Sequence, residues 1–252
     1  MLEFIIVPFT NVLIYIYGLL GQNFGLAIIV FTVAVRLLTY PLTASQLKST
    51  RAMQGLQQDK KWQQIQKKYK NDREKLSQEQ MKLYQEKGIN PLGSCLPTLI
   101  QFPIIIGLYW SVTRALASTP IQLLSFARDI SLPNLAEIIP LNSQFLWMDL
   151  GQPERLTLDF LPFSIPVLAI IVMISSYLQT KLMSPTAGNG GGQNAQMGQM
   201  MNIYMPLLMG YISYIYSAGL ALYFVTSNVV SIVQYGLMGR FSTSTSAEPQ
   251  SK

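Results

Sequence analysis

The sequence predicts an all-α fold, that of a polytopic membrane protein with five transmembrane helices, an N-terminal interfacial helix and a cytoplasmic helical hairpin. Half of the 252 residues are hydrophobic and only 12% are charged, whereas an average soluble domain has roughly 25% charged residues. The charges are also concentrated, because residues 44–94 hold eleven of the eighteen Lys and Arg and five of the twelve Asp and Glu. The remaining sequence contains apolar runs of about 20 residues, the length of helix that crosses a bilayer.

Residues 4–20 come first and are ambiguous. They are apolar, but Pro8, Thr10 and Asn11 interrupt them, and a short polar stretch separates them from the next apolar run. We interpret residues 1–23 as an amphipathic helix that lies in the outer interface of the bilayer. The alternative, a sixth span, moves the N-terminus across the membrane and changes no other loop.

Four apolar blocks supply the spans. Three are long enough to cross once, and the last is too long for a single span. The motif Ser217-Ala218-Gly219 predicts a tight turn near the middle of that last block. We therefore expect transmembrane helices at 24–43, 95–116, 160–180, 200–216 and 219–238, an exported loop at 117–159, a flexible cytoplasmic loop at 181–199 and a disordered cytoplasmic tail at 239–252.

The basic segment 44–94 is expected to form the helical hairpin. Its first arm is rich in Gln, Lys, Leu and Met, which are good helix formers. The sequence Ser-Gln-Glu-Gln at 77–80 has the form of a capping box that opens the second arm, and Gly88 is the expected C-cap. The first arm also carries an apolar stripe: Trp62, Ile65 and Tyr69. This stripe is too thin for a globular core, so we expect the hairpin to project into solvent.

The orientation follows from the positive charges. Cytoplasmic loops of membrane proteins carry an excess of Lys and Arg, and segment 44–94 has a surplus of six positive charges, equal to the net charge of the chain. The loop 117–159 instead holds two Arg against five Asp and Glu. We therefore expect the N-terminus outside and the C-terminus in the cytoplasm.

Arg36 is a charge placed well inside the first predicted span, about 11 Å of helix from its cytoplasmic end. An Arg near the centre of a span costs about 2.5–3.5 kcal/mol on insertion scales. Snorkelling toward the cytoplasmic headgroups would lower that cost. None of the five predicted spans contains Asp or Glu, so Arg36 would need water, backbone carbonyls or an outside anion as its partner.

Polar residues at helical spacing accompany Arg36 in the predicted spans. Thr32 lies one turn before it and shares its helix face. The fifth span carries a polar face made of Tyr223, Ser227, Ser231 and Gln234, with Asn228 beside it. Such stripes also serve as packing contacts between membrane helices, and that alternative stays open. Together they favour a hydrated, positively charged cavity, with these candidate residues: Arg36, Thr32, Gln101, Tyr223, Ser227 and Asn228.

Missing residue types narrow the function. The chain has no His, which excludes a Ser–His protease; it also has no Gly-x-Ser-x-Gly turn and no phosphate-binding loop. We expect no catalytic residues, no metal and no cofactor. A cationic cavity could bind acidic or polar segments of another polypeptide, a non-enzymatic role. The alternatives are a small anion channel or transporter with Arg36 as selectivity residue, and a structural assembly factor.

Four stretches carry a family resemblance: residues 31–43 (FTVAVRLLTYPLT), 90–109 (NPLGSCLPTLIQFPIIIGLY), 182–185 (LMSP) and 217–228 (SAGLALYFVTSN). Each is weak alone, but together and in this order they resemble the YidC family of membrane protein insertases. The resemblance implies a short form without the large exported domain, in a bacterial plasma membrane or a thylakoid membrane. It also implies a five-helix core with a groove open to the cytoplasm and to lipid.

The resemblance implies roles for single residues and for partners. Arg36 is similar to the groove arginine that attracts acidic residues of an incoming substrate, and Thr32 and Gln101 match polar groove positions. Tyr223 matches the first residue of a Tyr-Tyr pair whose second residue is Phe224 here. The implied partners are nascent membrane proteins and the lipid bilayer, with a Sec-type translocon, a ribosome or the signal recognition particle as further candidates. Sequence-specific binding of nucleic acid is not expected.

Overall fold

A computed structural model describes residues 3–57, 59–69, 72–89, 96–116, 141–156, 164–183 and 193–245. These residues form nine helices and one two-stranded sheet. The prediction of a mainly helical chain is confirmed, whereas the small sheet was not predicted. The helices are α1 (Glu3–Leu19), α2 (Phe24–Leu38), α3 (Tyr40–Gln57), α4 (Lys60–Lys68), α5 (Arg73–Glu86), α6 (Leu96–Ala115), α7 (Val167–Met183), α8 (Gln193–Ile215) and α9 (Ala218–Thr245), and the strands are β1 (Gln144–Phe145) and β2 (Met148–Asp149).

Helix length and composition support fewer spans than the five predicted. Within the described ranges, Ala218–Met238 of α9 is the one helix that is long and apolar enough to cross a membrane. The pair α2 and α3 passes the same test together, but with a bend of 60° between them. Ile6–Leu19 and Val167–Leu182 are shorter apolar helices. The count of five spans is therefore not confirmed.

Two of the predicted spans differ from the observed helices, one by a break and the other by a later start. The apolar run 24–43 breaks at Thr39, between α2 and α3. Pro41 explains the break, because it has no N–H to donate to the carbonyl of Leu37, four residues earlier, and its ring crowds that carbonyl. The third predicted span was expected from residue 160, but α7 begins only at Val167.

A hydrophobic core joins α1, α2, α6 and α9, and α7 packs against α8 and α9. Gly219 allows a close approach between α9 and its neighbours in this core. A Cβ atom at that position would lie 2.9 Å from Val112 Cγ1 and 3.1 Å from the carbonyl oxygen of Leu150. The break between α8 and α9 consists of Tyr216 and Ser217, because α8 ends at Ile215 and α9 begins at Ala218. Only the first residue of the motif that predicted a turn lies in the break.

Helix α1 is apolar on both of its faces. Its inner face is buried against α2 and α6 and includes Leu13, Ile14 and Tyr17. Its outer face exposes further apolar side chains: Phe4, Val12, Tyr15 and Leu19. The helix thus lacks the broad polar face of an amphipathic surface helix. Whether it lies in the interface or spans the bilayer stays a prediction.

Three helices, α3, α4 and α5, occupy the segment predicted as a two-armed hairpin. The capping-box prediction is wrong, because α5 begins at Arg73 and the side chain of Asp72 caps it by accepting from the N–H of Lys75. The prediction for Gly88 is confirmed. It has φ +66°, its N–H donates to Gln85 O and the next N–H, of Ile89, donates to Tyr84 O, which is the hydrogen-bond pattern of a Schellman motif.

The α4–α5 hairpin has a small apolar core of its own. Leu56, Trp62 and Leu83 are buried together, and the Trp62 ring packs on Tyr84 with centroids 5.4 Å apart. Lys87 also forms an ion pair with Asp59 at 3.4 Å. The apolar stripe of the first arm is too thin to form a core alone, but it forms a small core together with apolar residues of the second arm.

The β1–β2 hairpin closes the end of the bundle at which α2 and α9 begin. The ring of Phe145 lies over Gly25, where a Cβ atom would clash at 2.2 Å. The carbonyl oxygens of Leu150 and Gln152 accept from the first two N–H groups of α9, those of Gly219 (3.0 Å) and Ala218 (2.7 Å). These contacts satisfy donors that have no partner within a helix, so the hairpin fixes the start of α9.

Glu154 joins the β-hairpin to α7. It is buried, and its carboxylate accepts from Trp147 Nε1 at 3.2 Å and from the N–H of Leu168 at 3.0 Å. A carboxylate at a helix N-terminus is favoured by the helix dipole. Sequence patterns gave no sign of this buried acid in the predicted exported loop.

Three expectations concern segments that lie wholly or partly outside the described residues. Cys95, interpreted from the sequence as a small buried hydrophobe, and the Gly-rich stretch 188–192 lie outside them. The predicted disordered tail contains the end of α9, which extends to Thr245. The prediction of disorder is therefore wrong for 239–245, and residues 246–252 lie outside the described part.

Candidate functional site

Arg36 lies in the last turn of α2, and its guanidinium reaches across to α9. Its Nε donates to Ser227 Oγ at 2.9 Å, and Nη2 contacts the same oxygen. The side chain is half-buried. It forms no ion pair with any acid in the described part of the chain. The site therefore contains a fixed cation whose side-chain partner is a neutral hydroxyl.

The guanidinium of Arg36 points away from the predicted cytoplasmic end. Helices α2 and α9 run parallel, since Ile28 lies beside Gly219 and Arg36 beside Ser227. The carbonyl oxygen of Arg36, however, accepts from Gln234, seven residues beyond Ser227 on α9. Seven residues correspond to about 10 Å of helix, so the side chain extends back toward the start of both helices. The side chain of Arg36 therefore does not snorkel toward the predicted cytoplasmic headgroups in this structure.

Gln101 on α6 and Tyr223 on α9 form a second polar pair. Gln101 Nε2 donates to the hydroxyl oxygen of Tyr223. Tyr223 and Ser227 are each only 2% exposed, and their spacing of four residues places them on one face of α9. We refer to Arg36, Gln101, Tyr223 and Ser227 as the polar cluster. Three helices contribute to it, and Arg36 and Gln101 form its more accessible side.

Two predicted site residues take no part in the hydrogen bonds of the polar cluster. Thr32 is fully buried, and its hydroxyl donates to the carbonyl of Ile28 within α2 at 2.6 Å. Asn228 faces α7, where its Nδ2 donates to Ser175 Oγ at 3.0 Å and to Ser176 Oγ at 2.8 Å. The Asn228 amide thus joins two helices, as polar side chains commonly do between membrane helices, whereas the Thr32 hydroxyl is bonded within its own helix. The structure thus brings together four of the six predicted residues.

Gln234 contacts Arg36 but was not among the six predicted residues. Its Nε2 donates to the carbonyl oxygen of Arg36 at 3.1 Å, and the side chain is only 5% exposed. Its Oε1 has no hydrogen-bond partner within the described residues. The available signal was its position on the same face as Tyr223 and Ser227, seven residues after the latter.

The chemistry available to the polar cluster is that of hydrogen bonding and charge. No group of three or more His, Cys, Asp or Glu suited to a metal occurs within the described ranges. A guanidinium presents five N–H donors in a fixed plane, a geometry that matches carboxylates and phosphates. The site can therefore bind an anionic group or a polar stretch of polypeptide.

Comparison with known proteins decides the family. A family model described as 60Kd inner membrane protein matches residues 15–245. The membrane protein insertase YidC of Oceanobacillus iheyensis is 35% identical over an alignment of 239 residues, which covers 92% of this chain and 81% of that relative. The chain belongs to the YidC family. The predicted resemblance is thus confirmed, and membership places the chain among membrane proteins.

Other YidC relatives match most of this chain. The membrane protein insertase MisCA of Bacillus subtilis is 34% identical over 252 residues, covering 98% of this chain and 82% of the relative. A crystal structure of an active YidC insertase with its first transmembrane domain resolved is 28% identical and superposes with a TM-score of 0.55. The match covers 91% of this chain but only 45% of that chain, so this protein spans less than half of the solved one.

Proposed function

We propose that this YidC-family chain is a membrane protein insertase and chaperone. It inserts integral membrane proteins, and helps them fold, through a positively charged hydrophilic groove open to the cytoplasm and to lipid. The observation that carries the proposal is Arg36, a half-buried cation whose side chain is held by the neutral hydroxyl of Ser227. The relatives named membrane protein insertases support it.

The polar cluster would act by exchanging partners. A carboxylate on the polar flank of a substrate replaces Ser227 as the acceptor for Arg36, because it carries the opposite charge and can accept two parallel N–H bonds from the guanidinium. Ser227 offers only one neutral oxygen. Gln101 and Tyr223 offer further polar contacts beside it. When the flank moves on, the hydroxyl of Ser227 takes the guanidinium back. Arg36 is then never left without a partner, which would cost about 1–3 kcal/mol or more for a charged group.

The hydrophobic segment of the substrate would move along the outer surfaces of α7 and α8. These helices expose many apolar side chains, including Ile174, Leu178, Ile203, Tyr204 and Leu207. Transfer of a segment from water to lipid contributes about 25 cal/mol per Å² of apolar area, or roughly 10 kcal/mol for about 400 Å². In this mechanism, that transfer is the driving force that draws the short polar flank past Arg36.

The proposed topology follows the positive charges, with the N-terminus outside and the C-terminus in the cytoplasm. The α4–α5 hairpin is then cytoplasmic, where it can receive nascent membrane proteins. A Sec-type translocon, a ribosome and the signal recognition particle remain candidate partners. The membrane is a bacterial plasma membrane or a thylakoid membrane.

The test uses liposomes that contain this protein alone. The substrate is a short single-spanning protein with an acidic translocated tail, compared with versions whose tails are neutral or basic. We expect the acidic tail to insert best, Arg36→Glu to shift the preference toward basic tails and Arg36→Lys to retain the original preference. Insertion no better than in empty liposomes, together with anion flux that depends on Arg36, would replace the insertase by the anion-channel alternative.

A further inference from the structure

The break between α2 and α3 releases main-chain groups next to Arg36. The last four carbonyls of a helix have no amide partner within that helix. In α2 these begin at Val35, whose carbonyl is taken by the N–H of Thr39 at 2.9 Å. The carbonyl of Arg36 is the next one, and the chain turns by 60° just beyond it. Within the described residues, no main-chain N–H donates to the carbonyl of Arg36, so this oxygen depends on side-chain donors.

Gln234 supplies that partner. Its amide donates to the Arg36 carbonyl at 3.1 Å across 198 residues of sequence. The Thr39 hydroxyl also approaches this oxygen, but only at 3.4 Å. Because Gln234 is only 5% exposed, water has little access to replace its hydrogen bond to the Arg36 carbonyl.

Arg36 is thus held by α9 at both ends. Ser227 binds the guanidinium and Gln234 binds the carbonyl. The contact with Ser227 is the one that a substrate carboxylate would displace, so the contact with Gln234 must keep Arg36 in place during the exchange. A main-chain hydrogen bond is suited to this task, because it does not compete with the substrate for the guanidinium.

We propose that Gln234 is the positioning residue of the groove arginine: it binds the carbonyl freed at the α2–α3 break, holding both the break and the direction of Arg36. This inference rests on the insertase function proposed above. It predicts that Gln234 affects the preference for acidic tails without touching the substrate. It also predicts that the angle between α3 and α9 depends on its amide group.

The decisive variant is Gln234→Met, which keeps the length of the side chain and removes the amide. The matched control is Thr226→Val, also on α9, because the Thr226 hydroxyl donates only within the helix, to Leu222 O. Insertion into liposomes is measured for the acidic-tail and neutral-tail substrates, and the ratio is compared. We expect Gln234→Met to lower the ratio at least fivefold and Thr226→Val to leave it within twofold of the parent.

A spectroscopic measurement reports the break directly. With Cys95→Ser as background, spin labels at the exposed positions Ser45 on α3 and Val233 on α9 give the distance between these helices. We expect one narrow distribution in the parent and a broader one with Gln234→Met. If that variant does not accumulate in membranes, both measurements are made on Gln234→Asn, whose side chain is shorter by one methylene. We expect the same lowered ratio and the same broadened distribution.

The outcomes separate the two proposals. If Gln234→Met lowers insertion of both substrates equally, or leaves the ratio and the distance distribution unchanged, the positioning role is overturned while the Arg36 result stands. If Arg36→Glu itself does not alter the tail preference, the insertase mechanism fails, whatever Gln234 does. A lowered ratio with a broadened distribution supports the inference.

Discussion

Gly219→Ala tests whether close packing at the start of α9 holds the core together. The added Cβ would lie 2.9 Å from Val112 Cγ1, 3.1 Å from Leu150 O and 3.3 Å from Ile28 Cδ1. The backbone cannot shift to relieve this, because the N–H of Gly219 donates to the same Leu150 oxygen at 3.0 Å. Overpacking typically costs about 1–3 kcal/mol, and the gain of Ala over Gly in a helix offsets about 0.4–1 kcal/mol of it.

The matched control is Gly236→Ala on the same helix, where nothing lies within 4 Å of an added Cβ. That variant should gain the roughly 0.4–1 kcal/mol without any clash. The midpoints of these ranges leave a net cost of about 1.3 kcal/mol for Gly219→Ala. At about 2–4 °C per kcal/mol for a chain of this size, we expect the midpoint of thermal unfolding in detergent to fall by about 3–5 °C for Gly219→Ala. It should move up by about 1–3 °C for Gly236→Ala. Equal shifts in one direction would refute the packing argument.

Two further predictions concern the polar cluster and the helical hairpin. Ser227→Ala removes the competitor for Arg36, and hydrogen bonds to charged groups contribute about 1.5–3 kcal/mol. Binding of an acidic-tail substrate, titrated by crosslinking, should therefore tighten by about tenfold or more. Weaker binding would show that Ser227 instead positions Arg36. The N–H of Lys61 and then the Lys87 ammonium hold the pKa of Asp59 below its ordinary 3.8, and the N–H of Lys75 does the same for Asp72. A lowered folded-state pKa contributes stability above the unfolded value that is lost as pH falls through the folded one. Protection of α4 and α5 against hydrogen exchange, measured relative to the intrinsic rate at each pH, should therefore fall below about pH 4. A variant with both Asp59→Asn and Asp72→Asn keeps the caps and should lose this pH dependence of the protection.

The helical class and the position of the α8–α9 turn could be predicted, because hydrophobic runs and small residues act locally. The break at Thr39 was missed although Pro41 signalled it, since the apolar run continues across the break without interruption. The β-hairpin had no signal: its two-residue turn is Leu146-Trp147, and Leu146 has φ +57°, a position where glycine is usual.

The candidate site was only partly predictable for a geometric reason. Successive residues on a helix lie about 100° apart, so Ser227 and Asn228 point to different neighbours of α9. Ser227 faces α2 and Asn228 faces α7. Spacing along one helix identifies a polar face but does not tell which partner helix each residue meets. That depends on packing between distant segments, as with Gln234 and Arg36.

The buried core beneath the β-hairpin forms a layer that would oppose the passage of ions along the bundle. On α2, Phe24, Ile28 and Thr32 are all fully buried, a stretch of about 12 Å of helix between Arg36 and the end closed by β1 and β2. A bare ion in such a dry layer faces a transfer cost of tens of kcal/mol in the Born limit. Under the proposed insertion mechanism, a hydrated flank would reach Arg36 from the other end of the bundle, and this layer would oppose the passage of protons and salt ions with it. An insertase built this way would work in an energised membrane without discharging it.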